Sequence, residues 1–157
     1  FTIDSPWYKE PTPEELKCQA YIGLVNGATG FLWYAFWTSE KCSDNPTGRD
    51  VWVLSDSKLW DAFRNLNAEI NKLAPVILTG KSCGPVICSS TDIQTCLWKY
   101  KGMSYLLTVN TLYTPVKCKI SGFKKEAEVI FENRKATPKN GVLEENYKPL
   151  EVHIYKF

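Results

Sequence analysis

The run Phe31-Leu32-Trp33-Tyr34-Ala35-Phe36-Trp37 is apolar at both alternating positions, so as a strand it has no face to offer to water. Such a strand belongs in the middle of a parallel sheet covered by helices on both sides. No other run in the chain has this character, and one strand is not a sheet. The run therefore either joins antiparallel strands further along or pairs with strands outside these 157 residues. The second arrangement predicts flanking strands from another chain or another segment, and poor solubility for residues 1–157 alone.

Helices are predicted on either side of it. Thr12 can cap a helix, Pro13 suits the first helical position, and Glu15 can return the capping-box bond. Leu16, Ala20, Leu24 and Val25 then form an apolar stripe, and Gly27 is placed to end it. The segment holding Lys41, Asp44, Asn45, Pro46, Gly48 and Arg49 reads as a loop. A second helix, capped by Ser55, Asp56 or Ser57, carries Leu59, Trp60, Phe63, Leu66, Ile70 and Leu73 at helical spacing, with Pro75 as the expected stop.

Beyond Pro75 the period changes to two. Short β-type runs are expected at 86–88, 95–100, 104–109, 116–120, 127–131 and 151–157, with tight turns at Lys101-Gly102 and Asn140-Gly141. Strands at this spacing, with no helix between them, suggest an antiparallel sandwich. The chain thus divides into residues 1–78 and residues 79–157.

Composition narrows the function classes. Nineteen Lys and Arg against seventeen Asp and Glu leave a net charge of +2 with no block of one sign, which points away from nucleic acid and anionic lipid as partners. No apolar run approaches the ~20 residues of a membrane span. Cys18, Cys42, Cys83, Cys88, Cys96 and Cys118 contain no C-x-x-C pair, and His153 is the only histidine, so a metal site is not expected. An even cysteine count suits an oxidising compartment, meaning secretion or the lumen of the secretory or lysosomal pathway. From their places beside predicted strands and turns, the expected bridges are Cys96 with Cys118 and Cys83 with Cys88, leaving Cys18 to Cys42. The only sequon-like site, Asn45-Pro46-Thr47, carries the forbidden proline. Phe1 in place of Met, with no leader after it, leads to the expectation of a processed chain or a piece of a longer one.

The segments Glu10-Pro11-Thr12-Pro13-Glu14-Glu15 and Tyr21-Ile22-Gly23-Leu24-Val25-Asn26-Gly27-Ala28-Thr29-Gly30-Phe31 together resemble the end of a (β/α)8 barrel in secreted glycoside hydrolases and hydrolase-like proteins. There the pattern covers the seventh helix and the eighth strand. Leu59-Trp60 through Leu73-Ala74-Pro75 resembles the eighth helix. Tyr105-Leu106-Leu107-Thr108-Val109-Asn110 and Pro149-Leu150-Glu151-Val152-His153-Ile154-Tyr155 resemble the β-sandwich that follows such barrels. The resemblance implies an α/β plus all-β chain: the terminal helix-strand-helix piece of a TIM-type barrel, then an antiparallel β-sandwich.

In clan-A-type hydrolases the acid and the nucleophile are carboxylates ending strands four and seven, and the resemblance sets Phe1 beyond strand seven. It therefore implies no catalytic residue and no cofactor in this segment, with both carboxylates upstream. Asp4, Glu10, Asp44, Asp50 and Asp56 fall on predicted loops and read as solvated acids. Barrel sites open at the carboxyl ends of strands, so Trp37, Trp7 and, by the two-residue period, Trp33 are the candidate stacking platform for a sugar ring. Core packing is the competing reading for Trp33 and Trp37.

Other motifs fail. Gly23, Gly27 and Gly30 have the wrong spacing for a dinucleotide fingerprint, Gly80-Lys81-Ser82 lacks the rest of a P-loop, and His153 has no Cys or Ser partner in sequence. The leading expectation is the C-terminal portion of a secreted glycoside-hydrolase-like protein whose partners are carbohydrate and the remaining barrel segment, from the same precursor or another chain. The alternative is a non-catalytic carbohydrate-binding or structural assembly component on the same scaffold. A free-standing α+β binding domain is the third.

Overall fold

The structure is a computed structural model and describes residues 11–33 and 57–157. It contains helices α1 (Pro13–Val25) and α2 (Ser57–Thr79) and strands β1 (Lys81–Gly84), β2 (Ile93–Tyr100), β3 (Met103–Asn110), β4 (Val116–Ser121), β5 (Ala127–Val129), β6 (Arg134–Ala136), β7 (Val142–Tyr147) and β8 (Val152–Lys156).

Helix α1 starts as its sequence dictates. The Glu15 N–H donates to Thr12 Oγ1 at 3.2 Å, the Thr12 N–H donates to Glu15 Oε2 at 2.7 Å, and Pro13 follows the cap. Asn26 forms the C-cap, and Gly27 takes φ +96° beyond it. Helix α2 departs from expectation, because Pro75 lies inside it and the helix continues to Thr79. Proline removes one helical donor and crowds the preceding turn. Beyond the proline the last turn is closed: Thr79 Oγ1 donates to the Pro75 carbonyl at 2.7 Å and the Gly80 N–H to that of Val76 at 2.9 Å, while Val76 is buried. At Gly80 a Cβ would lie 2.3 Å from the Val76 carbonyl oxygen, so the exit from α2 accepts only glycine.

A six-stranded antiparallel sheet runs β1-β2-β3-β8-β5-β6, and β4 pairs with β7 in a second sheet. The expected turns close β2–β3 and precede β7, with Lys101 and Gly102 at φ +47° and +77° and Asn140 and Gly141 at +51° and +79°. Alternation divides the large sheet between two cores. Cys96, Trp98, Leu107, Val109, Val152 and Ile154 face α1 and α2, whereas Ile93, Leu106 and Tyr155 face Cys118, Ile120, Leu143 and Tyr147 of the second sheet.

The expected strand at 86–88 is only an isolated bridge from Cys88 to Ile120, and β1, β6 and β7 were not anticipated. Residues 31–33 carry no ladder pairing, and the rest of the Phe31 to Trp37 run lies outside the described residues.

The cysteine pairing needs correction. Cys88 bonds Cys118, whereas Cys96, Cys83 and Cys18 are free thiols. Cys96 and Cys118 cannot meet because the large sheet lies between them: Cys96 faces the helices and Cys118 the sandwich core. Cys83 stays on the β1 edge while Cys88 crosses to β4, so the Gly84-Pro85 turn separates them. Cys18 is buried on α1 with its thiol against the Asn110 carbonyl at 3.5 Å, and Cys42 lies outside the described residues.

Candidate functional site

Of the expected platform, Trp33 alone is described; Trp7 and Trp37 lie outside, as do Asp4, Glu10, Asp44, Asp50 and Asp56. The half-buried Trp33 ring stacks on Phe31 at 5.6 Å and meets Phe63 of α2 edge-on at 5.0 Å. Leu32 between them is 95% exposed, so this stretch seats two aromatic side chains, Phe31 and Trp33, and projects the residue between them away from the described fold.

A cleft of about 370 Å³ opens where both helices end against the sheet edge. Val25 to Thr29 form one wall, Ile77 and Gly80 another, and Ser82, Gly84, Cys96 and Trp98 the floor. A second hollow of about 370 Å³ adjoins it across Val25, Asn26 and Pro85. Asn26 holds the divide by donating from Nδ2 to the Ile22 carbonyl and to Gln94 Oε1, both at 2.8 Å. Among the described residues, neither lining includes a carboxylate, an imidazole or a cation. The described lining suits neutral hydroxyls or apolar surface, and its titratable group is the Cys96 thiol of the first cleft, which burial pushes up.

The charged groups of the sandwich gather elsewhere. The turn between β5 and β6, with Phe131 at φ +71° and Asn133 at +50°, presents Glu132 to the buried His153 of β8, whose Nδ1 lies 2.5 Å from Glu132 Oε1. Arg134 donates from Nε to Glu132 Oε2 at 2.7 Å and from a terminal nitrogen to Glu145 Oε2 at 3.2 Å. Tyr155 donates to Glu145 at 3.0 Å, and Tyr147 donates to Thr108 Oγ1 at 2.8 Å, linking β3, β6, β7 and β8.

Burial opposes charge on Glu132, but its bonds to His153 and Arg134 outweigh that and hold its carboxyl below the ordinary range. Burial pushes the Tyr147 phenol up to about 12 and raises that of Tyr155 further, so both stay protonated donors. A general acid needs a carboxyl raised toward neutrality; Glu132 is shifted the other way, and Glu145 is committed to Arg134 and Tyr155. The cluster is therefore a brace between the two sheets. Sequence reading took His153 as structural, which this burial and pairing agree with, but it missed the partners. The available signal was Glu145 in the inward-facing positions Leu143, Glu145 and Tyr147. Among the described residues no group of His, Cys, Asp and Glu could hold a metal ion, and no described helix is long and apolar enough to cross a membrane.

No protein-family model and no curated protein matches the chain. Solved structures do. An α-amylase from Geobacillus thermoleovorans complexed with acarbose is similar with TM-score 0.65 at 12% identity, over 92% of this chain and 33% of that one. AmyP in complex with maltose gives TM-score 0.65 at 10% identity, over 98% of this chain and 36% of its own. A noncanonic maltogenic α-amylase, AmyB from Thermotoga neapolitana, gives 0.56 at 14%, over 92% and 36%. Identities this low make the likeness one of fold. The chain spans about a third of the length of these three enzymes, and what matches them is a mostly antiparallel β-sandwich with two helices.

Proposed function

We propose that this chain is the C-terminal portion of a secreted glycoside-hydrolase-like protein that binds or acts on a saccharide. In this reading residues 1–78 complete a TIM-type barrel as its last helix, strand and helix, and residues 79–157 form the sandwich packed beside it. The observation that carries it is the fold likeness to α-amylases over 92–98% of the chain, both helices and the sandwich together. The barrel-end resemblance of Tyr21 to Phe31 supports the same placement. The disulfide between Cys88 and Cys118 accords with an oxidising compartment.

The catalytic carboxylates of this reading lie upstream of Phe1, in the remaining barrel segment, and are retaining and clan-A-like as the resemblance implies. The run from Phe31 to Trp37 pairs there with strands of that segment. Trp37 and Trp7 border the sugar cleft, and Trp33 sits deeper against Phe63. The neighbours complexed with maltose and acarbose make α-linked glucose oligomers the first substrates to try.

The test is titration of the complete protein with maltotriose and a panel of β-linked oligosaccharides, with reducing-sugar release followed in parallel. Binding weakened by Trp37→Ala by about 1 to 3 kcal/mol, with unchanged melting temperature, supports the platform. Binding without hydrolysis selects the non-catalytic assembly component, and absence of both overturns the proposal.

A further inference from the structure

We propose that Asn140 is a self-modification site, where the Gly141 backbone nitrogen attacks the Asn140 side-chain amide and the turn ages to aspartate and isoaspartate, while the chain's other Asn-Gly pair, Asn26-Gly27, is held intact by the fold. Glycine after asparagine favours this attack because no Cβ shields the nitrogen. Both pairs are exposed, so neither sequence nor access distinguishes them. Hydrogen bonding does.

At Asn26 the groups that must react are engaged. Its Nδ2 donates to the Ile22 carbonyl and to Gln94 Oε1, both at 2.8 Å, and the Gly27 N–H, the nucleophile of the reaction, donates to the Leu24 carbonyl at 3.0 Å. Attack there requires the helix cap to open. At the other pair, the Asn140 amide and the Gly141 N–H have no hydrogen-bond partner among the described residues. The two-residue turn, at φ +51° and +79°, is closed by the Lys139 N–H to the Val142 carbonyl at 2.9 Å and the Val142 N–H to that of Lys139 at 3.0 Å. It lies at the start of β7, which pairs with β4 alone, so a local opening exposes it without disturbing either core.

The chemistry is an intramolecular substitution followed by hydrolysis. The Gly141 nitrogen bonds to Asn140 Cγ, the Cγ–Nδ2 bond breaks, and ammonia leaves with the proton given up by that nitrogen, which closes a succinimide ring. Water then opens the ring at one of its two carbonyls. Breaking the new bond to Cγ leaves aspartate in a normal backbone; breaking the original peptide bond leaves isoaspartate, with the side-chain carbon now in the main chain. The second product matters mechanically, because the Gly141 carbonyl accepts the N–H groups of Gly122 and Phe123 at 3.1 and 3.3 Å, and Phe123 is buried against Tyr155 and Phe157. An extra main-chain atom shifts that clasp out of register. The inference is independent of the saccharide reading.

The experiment holds the complete protein in mildly alkaline buffer, native in one arm and unfolded in urea in the other, and follows both Asn-Gly peptides by mass spectrometry and by methylation with an isoaspartate-specific carboxyl methyltransferase. In the native arm the Asn140 peptide should gain about 1 Da, as ammonia leaves and water enters, and become a methyl acceptor. It should do so roughly tenfold or more faster than the Asn26 peptide, and the two rates should converge in urea. Asn140→Gln should abolish the native signal at this position, and Asn140→Asp, which forms the normal backbone product directly, stands in to report fold by circular dichroism. Equal native rates, a faster Asn26, or an Asn140 that stays intact in the native arm after both peptides have reacted in urea overturns the proposal.

Discussion

The two faces of the six-stranded sheet carry different kinds of core. Toward the helices, Leu107, Val109, Val152 and Ile154 meet Leu16, Leu24, Leu66 and Leu73 in an almost wholly apolar layer. Toward the second sheet, Leu106, Ile120 and Leu143 share the space with a chain of polar contacts through Thr108, Tyr147, Tyr155, Glu145 and Arg134. The helical layer is held by area and shape, which act without direction. The sandwich layer adds directional bonds that specify how two small sheets meet, and these fail if one member is removed. The layers should therefore answer differently to the same disturbance.

Leu107→Ala should have the largest effect. The side chain is fully buried against the helices, and truncation there costs about 2 to 5 kcal/mol through lost burial and a cavity. Urea unfolding would show it as a lower midpoint at every pH between mild acid and neutrality. A loss confined to acid would break the distinction between the layers.

Arg134→Met comes next, at about 2 kcal/mol, because it leaves Glu132 and Glu145 without their shared cation in a partly buried setting. A double-mutant cycle with Glu145→Gln sharpens the comparison. The two changes should be strongly non-additive with each other and additive with Leu107→Ala.

Thr12→Ala should cost about 1 kcal/mol by removing the side-chain cap of α1, and Thr12→Ser should restore it. Its reach extends past the helix, since Glu15 also accepts a bond from the Tyr113 hydroxyl at 2.8 Å in the β3–β4 connection. Amide exchange near Tyr113 should quicken along with that of α1.

The smallest effect expected is an acid limb belonging to the sandwich. Glu132 in the folded protein titrates below the ordinary carboxylate value of 4.5, with burial opposing the charge and the His153 and Arg134 bonds prevailing. Its contribution is complete above that value and fades as pH falls through the lower folded one. Glu132→Gln should flatten this limb of the stability profile, and Leu107→Ala should leave its shape unchanged.

What the sequence determined by itself was whatever depends on neighbours within a turn or a strand. Thr12, Pro13 and Glu15 build a capping box from side chains three residues apart, and the spacing from Leu59 to Leu73 needs only helical geometry. Five of the six expected strand runs and the Lys101-Gly102 and Asn140-Gly141 turns follow from period-two patterning and left-handed backbone. Tertiary structure decided the rest. Pro75 stays helical because Val76 packs into the core and the final turn beyond it is closed by bonds to the Pro75 and Val76 carbonyls, a gain invisible in the local sequence. Strand β7 was hidden because Glu144 and Glu145 read as polar, while Glu145 turns inward to partners eleven residues before it and ten after. Cys88 joined Cys118 across thirty residues because the large sheet sets Cys96 on the opposite face, and which face a residue occupies is settled only when strands take their places in a sheet.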